Sequence, residues 1–427
     1  MDKFTTYSVA DGVNFNFIKD TRFKTGRASI DVFLPLEEKV VAANAVLPFL
    51  ISKSCSKYQD FTALNRYLDE LYGSSISADV TKSGETQVLS ISASFLADEY
   101  ALEKETISQK VTKLLCDMFF SPILVNGTFP QNLVDQEKRQ LIEYIESEFN
   151  EKRIYAKNKC EEMMCKNERF GINKLGTKEK VAALTPSDVY SAWERILNGA
   201  RIELTVLGNI KEPRFALETF REEFSKINRG NIFDCSTEVI KECKNPKDHS
   251  ESMNLSQSKL VMGFRTGSAG DDPDTMAMRL AISIFGFSPH CKLFLNVREK
   301  YSLCYYCSAS YDRRKGIMLV QSGVEKENIK RAKEEILNQL EEVKKGNFTE
   351  DDMNNIKRSL SNSYKTMGDY LSGMESFYLS QIFYKNKLST LQYVEKLNSI
   401  TKEEVIDAAK KINLDTTFVL EGIEKEV

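Results

Sequence analysis

Hydrophobic positions along the chain fall into two rhythms, and both occur twice. Residues 28–36 (Ala-Ser-Ile-Asp-Val-Phe-Leu-Pro-Leu) and 259–265 (Lys-Leu-Val-Met-Gly-Phe-Arg) read as strands, one near the start of each half. Helical spacing follows at about 40–55 and 60–72, and again at about 272–285 and 289–299. Leu89, Ile91, Ala93 and Phe95 then alternate, predicting one buried strand face, and Leu303, Tyr305, Cys307 and Ala309 predict its counterpart. Long amphipathic helices come next. Ile107, Val111, Leu114, Leu115 and Met118 form one apolar stripe, and Ile329, Ala332, Ile336, Leu340 and Val343 form the other.

The halves also close alike. Leu184-Thr-Pro-Ser-Asp188 opens a helix ahead of the strand Arg201–Leu207 and Gly208-Asn; Ile400-Thr-Lys-Glu-Glu404 opens one ahead of Thr416–Leu420 and Gly422-Ile. Thr185 with Asp188, and Thr401 with Glu404, have the spacing of capping pairs that satisfy free amides at a helix start. The two endings lie roughly 215 positions apart, the mark of an internal duplication. Strands before runs of helices predict an α+β fold: two homologous lobes, each a mainly antiparallel sheet with helices on one face, joined by a polar linker. The first lobe is expected over 1–225, the linker over 226–257 and the second lobe over 258–427. Two such lobes are expected to face each other across a cleft.

Composition narrows the function. Lys+Arg 59 against Asp+Glu 62 leaves a net charge of -3, which disfavours a nucleic-acid binder. The opening Met1-Asp-Lys-Phe-Thr-Thr-Tyr has no signal-peptide core, and no run is long and apolar enough for a membrane span. Nine cysteines without framework spacing suit free thiols in a reducing compartment. A soluble cytoplasmic protein is expected.

The most telling chemistry is the stretch Leu295-Asn-Val-Arg298-Glu-Lys-Tyr-Ser-Leu303-Cys-Tyr305, which sets an arginine at a helix end and a tyrosine on a strand. With the duplication, the Leu71-Tyr-Gly73 turn and the Val-Leu-Gly208-Asn close, it resembles the pitrilysin/insulinase-type zinc metallopeptidases, the inverzincins, in the branch typified by mitochondrial processing peptidase. The resemblance runs along nearly the whole chain. In that family His-x-x-Glu-His on the first helix binds zinc with a more distant glutamate. Here the corresponding positions are Val46, Phe49 and Leu50, none of which ligates a cation or takes a proton. The distant glutamate would fall near Glu143 or Glu146. The chain has two histidines, His249 and His290, too far apart for a helical ligand pair, so no metal or other cofactor is expected in it.

The resemblance implies that Arg298 orients a peptide and Tyr305 assists the oxyanion forming on the attacked carbonyl. It further implies a zinc-less bacterial subunit of a heterodimer, whose homologous partner holds zinc and whose substrate is a peptide or polypeptide. The rival reading is a peptide-binding or scaffold protein without proteolytic activity; a homodimer using another metal arrangement is a third. The stretch equivalent to the glycine-rich loop of the non-catalytic mitochondrial subunits, Ile284-Phe-Gly286-Phe-Ser-Pro-His290-Cys, has a single glycine here.

Other features have plainer readings. Cys304 and Cys307, three apart on a strand, are expected on opposite faces, and Cys160 and Cys165 as unlinked thiols. His290 is expected at a helix entry and His249 exposed in the linker. Tyr370, Met374, Phe377 and Tyr378 have the spacing of a core helix, with a peptide chamber as the alternative.

Overall fold

The computed structural model describes residues 3–211 and 213–422; Met1, Asp2 and Ile423 of the stretches quoted above lie outside them. Two compact units emerge. The first comprises Met1–Glu146, Ile172–Ser236 and Leu371–Glu375, and the second Ser147–Gly171, Thr237–Tyr370 and Ser376–Val427.

In chain order the first half carries β1 (Lys3–Ala10), β2 (Val13–Lys19), β3 (Thr25–Pro35), α1 (Val41–Ile51), α2 (Phe61–Glu70), β4 (Ser75–Ser83) and β5 (Thr86–Leu96). There follow α3 (Ile107–Phe120), α4 (Gln131–Asn150), α5 (Lys152–Met164), α6 (Lys178–Ala183), α7 (Pro186–Gly199), β6 (Arg201–Gly208) and α8 (Pro213–Ser225). The second half carries β7 (Lys247–Met253), β8 (Ser258–Arg265), α9 (Thr275–Gly286), a π-helical segment Leu293–Lys300, β9 (Cys304–Asp312) and β10 (Ile317–Val324). It ends with α10 (Ile329–Lys344), α11 (Glu350–Met367), α12 (Leu371–Leu379), α13 (Thr390–Ser399), α14 (Lys402–Lys410) and β11 (Asn413–Gly422).

The sheets state the duplication in hydrogen bonds. One runs β1-β2-β6-β3-β5-β4 and the other β7-β11-β8-β10-β9. Apart from β1, the orders superimpose, and each holds its one parallel pair at the same place, β2 with β6 and β7 with β11. The α+β architecture predicted from the repeat is therefore the one observed. Thr185 and Thr401 each complete a capping box, with Asp188 and Glu404 returning a bond to the cap amide at 2.8 and 2.7 Å.

In the first unit Ala28, Ile30, Val32 and Leu34 of β3 pack with Leu89, Ile91, Ala93 and Phe95 of β5 against α1, α3 and α7. The opposite face of β3 bears Arg27, Ser29 and Asp31. In the second unit Leu260, Met262 and Phe264 of β8 face α9, α10 and α14.

The other face of that second sheet is covered as well. Ala156, Cys160 and Met164 of α5, with Cys165 and Phe170, pack on Val261, Ile317, Leu319, Phe418 and Leu420. Gly263 permits the approach, since a Cβ there would stand 2.5 Å from the Met164 sulfur. Cys160 and Cys165 are thus core thiols. Beneath them a buried ion cluster forms. Arg265 gives its guanidinium to Glu168 at 2.6 and 3.0 Å and to Asp415 at 2.7 Å, while Lys315 reaches Glu168 at 2.6 Å. Burial alone would raise the Glu168 carboxyl, but the hydrogen bonds from Arg265 and Lys315 hold it below the usual glutamate range.

The stretch expected to be a plain linker contains β7. His249 accordingly lies on a strand opposite Phe418, half-buried, and not in open solvent. Its polar sequence, Lys-Asp-His-Ser-Glu-Ser-Met, suits an edge strand, which needs backbone partners on one side only.

Candidate functional site

The helix that would carry zinc ligands is apolar but for the buried Asn44, whose amide donates to Gln87 at 3.0 Å. Ten of the eleven residues of α1 are buried; Val46 and Leu50 are in the core, and Phe49 packs against it. On α4, Glu143 is exposed and Glu146 pairs with Lys178. The inward carboxylate of that helix is Glu137, whose two oxygens accept from Lys53 at 2.7 Å. An ammonium therefore faces the acid that α4 turns inward, and the residues of this region do not fit a zinc ion. Among the described residues no group of three or more His, Cys, Asp or Glu is placed to hold a metal.

Arg298 and Tyr305 both lie in the second unit. The π-helical segment is anchored by the buried Leu293 and Val297 and ends with Tyr301 N–H donating to Asn296 O at 3.0 Å. That five-residue closure widens the last turn, and such bulged turns recur at functional sites. Arg298 leaves it with 43 % of its side chain exposed, the guanidinium 4.8 Å from the Phe294 ring centre and Nε 3.5 Å from Glu299. Ser302, with φ at 50°, turns the chain into β9. His290 is exposed just before this segment.

Tyr305 is not a member of the buried face that alternation predicts. Along β9 the register with β10 runs Cys307↔Ser322, Tyr306↔Gly323 and then Cys304↔Val324. Tyr305 is thus the extra residue of a β-bulge, 63 % exposed. The nearby Glu325 carboxylate raises the phenol's pKa. Gly323 makes room beside the bulge: a Cβ there would come within 2.6 Å of the Tyr306 ring.

The bulge also reverses the expectation for the cysteines. One extra residue restores the phase, so Cys304 packs on the same side as Cys307 and Ala309. The neighbouring Cys307 thiol first, then the Ser322 hydroxyl and the Arg298 charge, bring the Cys304 thiol down to about 7 against the effect of burial. The neighbouring Cys304, with burial, drives Cys307 well above the ordinary thiol range.

A second polar cluster, unseen in the sequence, sits on β3 of the first unit. Asp31 accepts from Ser29 at 2.6 Å and Ser90 at 2.5 Å, while Arg27 holds Glu375 at 2.6 Å. Burial first, then the Glu375 charge, lifts the Asp31 carboxyl to about 7, against the pull of the two serines and Arg27. The other Glu375 oxygen is buried without a hydrogen-bond partner. These acids lie 344 positions apart (375 − 31), so no local pattern announces them.

Of the aromatic helix, Met374, Phe377 and Tyr378 are buried and only Tyr370 is exposed, as a core helix requires. Phe377 packs edge-on to Tyr364 at 6.0 Å. No helix among the described residues is long and apolar enough to cross a membrane.

The duplicated α+β fold of this topology, with Arg298 and Tyr305 exposed on the second unit and no ligand-type residues at the zinc positions of α1, resembles pitrilysin-type proteins of the zinc-less kind. Residues 183–360 match the family described as "Peptidase M16 inactive domain". Over 413 residues the chain is 29% identical to the "Probable inactive metalloprotease YmfF" of Bacillus subtilis (strain 168), covering 97% of this chain and 96% of that one. Among solved structures it resembles a conserved protein from Enterococcus faecalis V583 at a TM-score of 0.91 and 26% identity, covering 99% and 100% of the two chains. The fold of a peptidase M16 inactive domain from Pseudomonas fluorescens matches at a TM-score of 0.80 and 16% identity, covering 99% of each.

Proposed function

We propose that this chain is the non-catalytic subunit of a heterodimeric zinc peptidase in the cytoplasm, where it presents Arg298 and Tyr305 to a peptide held at a homologous partner's zinc. The observation that carries the reading is a conjunction. Arg298 and Tyr305 project into solvent from a π-turn and a bulge, while at the ligand positions Val46 and Leu50 are in the core and Phe49 packs against it. A guanidinium free of strong internal pairing is available for bidentate contact with a peptide carbonyl. A phenol whose neutral form is favoured stays a hydrogen-bond donor for a developing oxyanion. The partner supplies the metal and general base, and all nine cysteines stand as free thiols, which suits a reducing compartment.

Co-expression with a His-x-x-Glu-His homologue, followed by peptide hydrolysis, tests this. Arg298→Ala is expected to lower kcat/KM by one to three orders of magnitude, roughly the effect of losing one preorganised donor. Equal turnover in the variant, or by the partner alone, refutes the catalytic role. Capture of an uncut polypeptide in that case is the outcome that favours a binding or scaffold protein.

A further inference from the structure

One cleft of the first unit gathers positive charge beside a pair of aromatic rings, and the peptidase reading gives it no task. It encloses about 260 Å³ among the loop that follows α1, the helices α2 and α3, and Phe215 of α8. We infer that this cleft binds a small aromatic phosphate, one ring system bearing one phosphate group, with Lys57, Lys110 and Lys113 toward the phosphate and Tyr58 and Tyr67 beside the ring. The site lies wholly within the first unit and does not depend on the peptidase reading.

Three observations support it. The stripe of α3 that includes Leu114 is buried, and Lys110 and Lys113, three positions apart, share the outer face. Both line the cleft, with 43% and 47% of their side chains exposed. Lys57 joins them from the loop before α2, and among the described residues it has no carboxylate partner. Its ammonium stands 5.2 Å from the Tyr58 ring centre and 5.7 Å from that of Tyr67. A ring face holds an ammonium less firmly than an anion does, so this charge is left for a ligand. The two tyrosines stack at 4.6 Å and 19°, a flat wall beside that ammonium, and Leu114 and Phe215 add apolar surface.

The charge balance favours an anion. The lining holds three ammonium groups against one carboxylate, Asp117. Lys110 pairs with Glu105 at 3.2 Å, while Lys113 faces Asp117 at 3.2 Å and Glu223 at 3.0 Å. Burial alone would lower the Lys113 pKa, but those two carboxylates hold it above the ordinary lysine range, so the ammonium stays charged and fixed in place. An ammonium has three donors; Lys113 gives two to its carboxylates and keeps one for a phosphate oxygen. Gln109, whose carbonyl accepts the Thr106 hydroxyl at 3.0 Å, keeps its amide N–H groups for a polar ring atom. The volume lies just under the roughly 300–1,000 Å³ of drug-sized pockets, which suits one ring with one phosphate better than a dinucleotide.

The experiment titrates the full-length chain with adenosine monophosphate and with phenyl phosphate, against adenosine and inorganic phosphate, by calorimetry in about 50 mM salt. Binding of either aromatic phosphate is expected with a Kd below about 1 mM, at least about tenfold tighter than inorganic phosphate or adenosine. Lys57→Ala should weaken it roughly tenfold, the loss of one charge-assisted contact, while Lys19→Ala at an exposed position of β2 should leave it unchanged. No binding of either compound overturns the inference, as does adenosine or inorganic phosphate binding equally well, or Lys19→Ala weakening binding as much as Lys57→Ala. A wild-type measurement carries the test should the variant fail to fold. The bound compound should slow acetylation of Lys57 by an N-hydroxysuccinimide ester, read by peptide mass, and leave Lys19 unprotected; equal rates at Lys57 with and without the compound overturn the inference.

Discussion

Asp31 should be a liability that the first unit tolerates, and Asp31→Asn should make that unit more stable. The wild-type carboxyl titrates at about 7 in the folded chain against 3.8 as the reference value. For an acid with a raised folded pKa, the unfolded state binds fewer protons in between. Stability is therefore complete below 3.8 and is lost as pH rises through about 7. The gap of about 3 units, at 1.36 kcal/mol each, sets an upper bound of about 4 kcal/mol for the penalty at pH 8. Asparagine keeps an oxygen for Ser90 and can donate its amide to the Ser29 hydroxyl, so the hydrogen bonds survive while the buried charge beside Glu375 does not. Urea unfolding at pH 4 and pH 8 measures the effect. Trp193, the chain's one tryptophan, reports on the first unit because its indole N–H donates to Phe119 O at 2.9 Å within that core. The midpoint should rise by roughly one to two molar at pH 8, given a slope of a few kcal/mol per molar. At pH 4 the two proteins should nearly coincide. A gain of equal size at both values, or a loss at pH 8, would refute the electrostatic reasoning.

Two further substitutions address the second unit. Glu168→Gln removes the charge that faces Arg265 and Lys315 and should destabilise the unit by about 3 kcal/mol or more, read as faster amide exchange in β8 and β11. Because that carboxyl is held below its ordinary value, its contribution in the wild type is present above about pH 4.5 and fades as pH falls through the folded pKa; the glutamine variant should lack this acid sensitivity. Gly171→Ala would set a Cβ 2.5 Å from the Cys165 carbonyl oxygen, a backbone atom that cannot swing aside. A loss of about 1–3 kcal/mol and earlier proteolysis within 147–171 are expected; an unchanged digestion pattern would show that the segment has room to adjust.

What could be read from the sequence was whatever repeats locally. The stripes of α3 and α10, the alternation of β5 and the two threonine caps all depend on near neighbours, and each stands where periodicity put it. Arg298 and Tyr305 drew notice through their spacing, and the structure places one on a π-turn and the other on a bulge. The misses have a common cause. β7 hides because an edge strand needs no apolar face, and the phase reset at Tyr305 comes from one residue left unpaired by β10. Asp31 with Glu375, and Glu168 with Arg265, meet only through tertiary structure, and carboxylates far apart in the chain carry no spacing to detect.

The two units exchange chain. Ser147–Gly171, translated with the first half, is built into the second, and Leu371–Glu375, translated with the second, is built into the first. A nascent chain emerging from the ribosome can therefore finish neither unit early. The first waits for Glu375 to reach Arg27, and α5 waits with bare apolar surface until β8, β10 and β11 exist to receive it. Severing the polypeptide between the halves would yield two fragments that each want a piece of the other, so gene dissection here should return soluble material only when both pieces are made together.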